Sequence, residues 1–121
     1  MNKTILVVDD CENYRLVVGR TLAMAGYEVV EAIDGQDAAE KLDRAMPSLI
    51  VCDLNMPRMD GLGFARHVKA SLLHHVTPMI MLTTETKESK KTEGRAAGVR
   101  EWIAKPFQRA QLLAAVGRHC A

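Results

Sequence analysis

Five short, apolar, largely β-branched segments recur along the chain, each followed by a stretch of helical period, and this alternation constrains the fold more than any other feature. "TILVV" at 4–8, "YEVVEA" at 27–32, "SLIVCD" at 48–53, "PMIMLT" at 78–83 and "REWIAK" at 100–105 read as strands. Continuously apolar strands of this length suit a sheet covered on both faces. Between them, Tyr14, Val17, Val18, Thr21, Leu22 and Ala25 share one helical face, closed by Gly26. "GQDAAEKLDRAM" reads as a second helix stopped by Pro47, and Leu62, Ala65, Val68 and Leu72 set the stripe of a third. "TKESKKTEGRAAG" offers an apolar face of little more than Ala96 and Ala97, with Gly94 inside, and is expected to be the least firmly packed helix and mobile. Leu112, Leu113 and Val116 mark the fifth.

Strands alternating with helices imply an α/β architecture: a doubly wound, five-stranded parallel sheet with five flanking helices and right-handed crossovers. Ligands in such sheets bind outside the carboxyl ends of the strands, where strand order reverses. The residues at those ends are Asp9 and Asp10, then Asp53, then Thr83 and Thr84, then Lys105. The second strand ends in nothing reactive. In the order 2-1-3-4-5 strands one and three are neighbours, so three carboxylates converge, and they resist staying ionised together without a cation. Mg²⁺ suits them, because it takes oxygen ligands, prefers one or two protein carboxylates and leaves room for a phosphate. Lys105 supplies a positive charge on a flexible stem, and Thr83 a hydroxyl. Carboxylate, metal, hydroxyl and ammonium around one point make a phosphoryl-transfer site, with the lone carboxylate of Asp53 as nucleophile.

The length of 121 residues fits one domain with a single site. Sixteen basic residues against fifteen acidic leave a formal charge of +1, which points to neither a nucleic-acid nor a membrane surface. Cys11, Cys52 and Cys120 are an odd number without CxxC spacing, which argues against a disulfide framework or a zinc cage and for a reducing cytoplasm. The N-terminus lacks the pattern of a leader, and no apolar run is long enough to span a membrane. Cys11 and Cys52 stand beside acids that keep a thiol protonated, so they are expected to be inert. His74 and His75 are expected to be solvated loop residues, and Met56, Met59, Met79 and Met81 to be packing.

"VVDD", "VCDLNMPRMDG", "MLTTE" and "WIAKPF", in that order and at those distances, resemble the receiver domain of two-component response regulators over the whole chain, residues 1–121, with no output domain. The resemblance implies the flavodoxin-like receiver fold and an Asp53 that accepts phosphate from a histidine kinase. It implies Mg²⁺, with Mn²⁺ as a substitute, held by Asp9, Asp10, Asp53 and the backbone carbonyl of Asn55. Thr83 and Lys105 match the groups that hold the phosphoryl oxygens, the Lys105-Pro106 bond is implied to be cis, and Asn55 and Glu85 fall where the family tunes phosphate lifetime. Thr83 and Trp102 match the switch pair, although a lone tryptophan also serves as core filling. The protein catalyses, on this reading, only its own phosphorylation and dephosphorylation.

The stretch from "LTTE" to "WIAKPF" is most similar to single-domain chemotaxis regulators of the CheY type, which dock the face of helix four, strand five and helix five on a partner. The implied partners are a chemotaxis-type or hybrid histidine kinase and a flagellar motor switch or phosphotransfer protein, met by a cytoplasmic monomer, with no nucleic acid or membrane. A phosphorelay intermediate, a phosphate sink and a receiver that has lost phosphorylation are the alternatives nearest to this. A haloacid-dehalogenase-like phosphatase wants Asp-x-Asp where Asp9-Asp10-Cys11 stands, and the acidic "DDCENY" loop would repel a flavin phosphate.

Overall fold

The computed structural model describes residues 3–120. The elements run β1 (Thr4–Val8), α1 (Glu12–Met24), β2 (Glu28–Ala32), α2 (Gly35–Ala45), β3 (Leu49–Cys52), α3 (Gly61–Lys69), β4 (Met79–Thr83), α4 (Glu88–Ala96), β5 (Val99–Ala104) and α5 (Arg109–His119). The strands form one parallel sheet in the order β2-β1-β3-β4-β5. Both the alternation and the strand order agree with the sequence reading.

Successive strand residues point to opposite faces, so each apolar strand feeds two cores. Leu6, Val8, Ile50, Cys52 and Met81 face Ala38 and Leu42 of α2 and Leu62, Phe64, Ala65 and Val68 of α3. Ile5, Val7, Val51, Ile80, Leu82 and Ile103 face Val18 and Leu22 of α1 and Leu112, Ala115 and Val116 of α5. No helix among the described residues is long and apolar enough to cross a membrane. All three cysteines are free, and Cys52 and Cys120 are buried.

Four details depart from the sequence expectations. In α1 the buried ridge is Val18, Gly19 and Leu22, while Val17 is 54% exposed and Ala25 lies in the open; the edge of the sheet supports only one narrow stripe of that helix. The third helix ends at Lys69, so Leu72 falls in the following turn, 93% exposed. His74 is not solvated: it is buried, and its Nε2 lies 2.8 Å from Asp43 Oδ1, which joins the α3–β4 turn to α2. Of the apolar face expected for α4, Ala97 is buried just past the helix but Ala96 is exposed, and within α4 only Gly94 is buried. That makes α4 the helix with the fewest buried residues, as its composition implied.

The end of β2, read as chemically silent, carries a structural ion pair one turn on. Asp34 is buried and caps α2, accepting from Asp37 N at 2.8 Å, while Arg58 grips its carboxylate through Nε at 2.8 Å and Nη2 at 3.1 Å. The Arg58 guanidinium holds the Asp34 carboxyl below its ordinary value of 3.8. Asp34→Ala is expected to cost about 1–2 kcal/mol through the lost cap. A depressed folded pKa adds stability that is present above the unfolded value and lost as pH falls through the folded one. The penalty of the substitution therefore shrinks as pH drops below 3.8, which urea midpoints of wild type and variant at neutral and acid pH will read.

Candidate functional site

Register assembles the site. Val8 of β1 pairs with Cys52 of β3, so the next residues, Asp9 and Asp53, emerge side by side from the sheet's carboxyl edge. Asp53 N donates to Val8 O at 2.9 Å and Asp9 N to Ala32 O at 3.1 Å, which pins both backbones. Thr83 pairs with Ala104, and Lys105 N donates to Thr83 O at 2.9 Å, bringing the lysine to the same edge.

There the Lys105 ammonium donates to Asp9 Oδ2 at 2.7 Å and to Asp53 Oδ2 at 3.1 Å. The lysine side chain is 5% exposed, and its Nζ also stands 4.2 Å from the centre of the Tyr14 ring, a cation–π contact. Burial opposes the charge on Lys105, but its bond to Asp9 and the Asp53 carboxylate outweigh burial and raise its pKa above the usual value. Burial lifts the Asp9 carboxyl above its ordinary range, with the lysine offsetting part of the shift.

The third acid, Asp10, is exposed, yet one carboxylate oxygen from each of Asp9, Asp10 and Asp53 lies within 4.8 Å of the others. Three carboxylates against one ammonium leave this point at −2 when all are charged. Asp9 Oδ1 accepts from Cys11 N at 2.9 Å and Asp53 Oδ1 from Leu54 N at 2.7 Å, and a carboxylate with about four acceptor positions keeps room for a metal beside these bonds. An all-oxygen, net negative cluster at one mouth fits a hard divalent cation.

The remaining expected residues take different stations. Thr83 is fully buried, and its Oγ1 accepts from Glu85 N at 3.3 Å. Trp102 is half-buried and donates its indole N–H to Glu85 O at 2.8 Å, so hydrogen bonds link it to Thr83 by way of Glu85. The Glu85 carboxylate turns back onto the amides of Thr86 and Lys87 at 3.1 and 3.2 Å. Asn55 is exposed in the loop after Asp53. The Lys105-Pro106 bond is cis. Cys52 donates its thiol to Asp53 O at 3.1 Å and, buried first and then facing the Asp53 charge, has its pKa pushed far up; it is unreactive.

Three contributors escape a reading by residue type. Tyr14 was assigned to the helix core face, yet its ring covers Lys105. Arg15 ties the α1 entrance to the site by donating from Nη1 to Asp9 O and from Nε to Glu31 Oε1, each at 2.9 Å. Gly61, legible only as a turn residue, abuts the Asp53 carbonyl so closely that a Cβ there would sit 2.2 Å from that oxygen. Position in the motif "MDG" was the one available signal for it.

A buried acid pair bridged by an ammonium, next to a buried hydroxyl at the carboxyl edge of a 2-1-3-4-5 sheet, defines a flavodoxin-like signalling domain. The chain belongs to the response regulator receiver domain family, whose model matches residues 5–117. It is 41% identical over 105 residues to chemotaxis protein CheY1 of Helicobacter pylori, covering 85% of each chain. It is 36% identical over 107 residues to the alkaline phosphatase synthesis transcriptional regulatory protein PhoP of Bacillus subtilis, covering 88% of this chain but 44% of that one. Among solved structures, chemotaxis protein CheY4 of Vibrio cholerae superposes with a TM-score of 0.94 at 41% identity, covering 98% of this chain and 99% of that one. Receiver domains are CheY-like signalling domains, phosphorylated on aspartate and generally dependent on Mg²⁺.

Proposed function

We propose that this protein is a response regulator that accepts a phosphoryl group on Asp53. The observation that carries the reading is the Lys105 ammonium shared between Asp9 and Asp53, a pre-set positive charge beside a carboxylate nucleophile. An Asp53 oxygen attacks the phosphorus of a phosphohistidine, the P–N bond breaks, the imidazole leaves with a proton from water, and an acyl phosphate forms. Mg²⁺, or Mn²⁺ in its place, held by Asp9, Asp10, Asp53 and the Asn55 carbonyl, supplies charge neutralisation at the transferring group. Lys105 shifts from Asp53 toward a phosphoryl oxygen while keeping Asp9, and the Thr83 hydroxyl donates to another. Water later attacks the phosphorus and restores the carboxylate, at a rate set in part by Asn55 and Glu85.

Turning the Thr83 hydroxyl toward the phosphate breaks its bond with Glu85 N, and Glu85 O is the acceptor of the Trp102 indole. The segment from Thr83 to Trp102 therefore carries the switch to the face of α4, β5 and α5. The small buried surface of α4 supports an easily reset face. The similarity to CheY1 along most of both chains favours a chemotaxis or motility output from a cytoplasmic monomer, with a histidine kinase upstream and a motor-switch or phosphotransfer protein downstream.

Phosphorylation is tested with acetyl phosphate: a Mg²⁺-dependent gain of one phosphoryl group by intact mass, accompanied by quenching of Trp102, the chain's single tryptophan, is expected. No mass gain with either acetyl phosphate or a phosphorylated chemotaxis kinase would overturn the reading.

A further inference from the structure

At the opposite edge of the sheet from the acids, a cavity of about 220 Å³ opens beside the first residues of β4 and β5. Its apolar wall includes Ala65, Val68 and Met79, and its rim carries Lys69, His75 and Arg100. A neighbouring groove between α3 and α4 shares Lys69 and extends the depression along both helices. Both rim cations lack a carboxylate partner among the described residues: Lys69 Nζ donates to Ala96 O at 2.7 Å, and Arg100 Nη2 reaches Val76 O at 3.4 Å. The turn that supplies His75 to this wall also holds out Leu72, Leu73 and Val76, which are 93, 63 and 66% exposed. Isolated exposed leucines need no explanation, but three exposed apolar side chains within five residues, in the turn that also supplies His75 to the cavity, concentrate apolar surface beside it.

We propose that this edge is a second docking surface, which takes an acidic amphipathic helix from a partner protein. Apolar side chains of the partner fill the depression and cover Leu72, Leu73 and Val76, while its carboxylates replace the backbone carbonyls now held by Lys69 and Arg100. Charge complementarity selects the occupant: the free cations face an apolar cleft, and the acid near it, Glu93, is already engaged with Arg66 at 3.7 Å. The surface lies beyond the strand ends remote from Asp53, and it takes in only the C-terminal end of α4 and the first residues of β5. Docking here tethers the regulator at the edge opposite the acids.

The probe is a peptide of about 12 residues, roughly three helical turns, with leucine on one face and glutamate on the other, titrated into the ¹⁵N-labelled full chain. Amide shifts confined to 65–77 and 96–100 are expected. The charge-reversed pair Lys69→Glu with Arg100→Glu should weaken binding about tenfold or more. Leu72→Ser with Leu73→Ser, which removes exposed side chains and spares the core, should weaken it similarly and guards against misfolding of the charge variant. Both variants should retain acetyl-phosphate quenching of Trp102, which separates this surface from the phosphorylation reading. Equal binding of a leucine–lysine peptide, shifts centred on α5 and the acid edge, or undiminished binding by both variants would overturn the proposal. Binding to phosphatidylglycerol vesicles without binding to the peptide would also overturn it.

Discussion

Asp53→Asn is expected to eliminate the acetyl-phosphate quenching of Trp102 and at the same time to make the protein more stable in metal-free buffer. The functional half follows from chemistry: an amide has no anionic oxygen to attack phosphorus, so a loss of at least about 100-fold in phosphorylation rate is expected. Full quenching in the variant would move the phosphoacceptor elsewhere. The stability half follows from the charge count. Three clustered carboxylates share one ammonium; removing one charge takes away two repulsions and one attraction, for a net gain of about 1 kcal/mol. Lys105 retains its 2.7 Å bond to Asp9, so the ammonium is not orphaned. Mg²⁺ at about ten times its Kd should stabilise the wild type by about 1.4 kcal/mol and the variant by less. A lower urea midpoint for the variant would mean that the Lys105–Asp53 pair outweighs the repulsion.

Gly61→Ala is expected to lower stability by about 3 kcal/mol and to slow phosphorylation with it. The new Cβ would meet Asp53 O at 2.2 Å, Leu54 Cα at 3.0 Å and Asp53 C at 3.1 Å, all backbone atoms that no rotamer change relieves. The loop is also closed by the bond from Gly61 N to Leu54 O at 2.8 Å, so relief requires moving Asp53 itself. Gly117→Ala in α5 is the control with the opposite sign. A Cβ there meets nothing within 4 Å, and alanine in an exposed helical position gains up to about 1 kcal/mol. Melting of Gly61→Ala at the wild-type midpoint would show that the loop can open without cost.

Much of the molecule was legible because the signals are local. Strand and helix periods depend on neighbours two to four residues away, and the chemistry of the site sits where those periods break, at Asp9, Asp53, Thr83 and Lys105. What was misread depends on residues distant in the chain. Val17 and Leu72 fit a helical face, but burial needs a sheet or partner opposite, and the sheet edge and the end of α3 withhold it. His74 looked like loop, yet it is buried and its ring meets Asp43, 31 residues earlier. Arg58 and Asp34 carried no mutual signal across 24 residues, yet they lock the loop after Asp53 to the cap of α2.

The sequence by itself determined the order and type of the ten elements and the strand ends at which the polar groups stand, since both follow from side-chain period and turn chemistry. Tertiary structure alone decided that the Lys105 ammonium rests between Asp9 and Asp53 under the Tyr14 ring, that the Trp102 indole binds the Glu85 carbonyl, and that Gly61 lies against the backbone of Asp53. Those contacts join residues from up to 96 positions apart, and their geometry comes from parallel register and helix packing, which no local stretch of chain encodes.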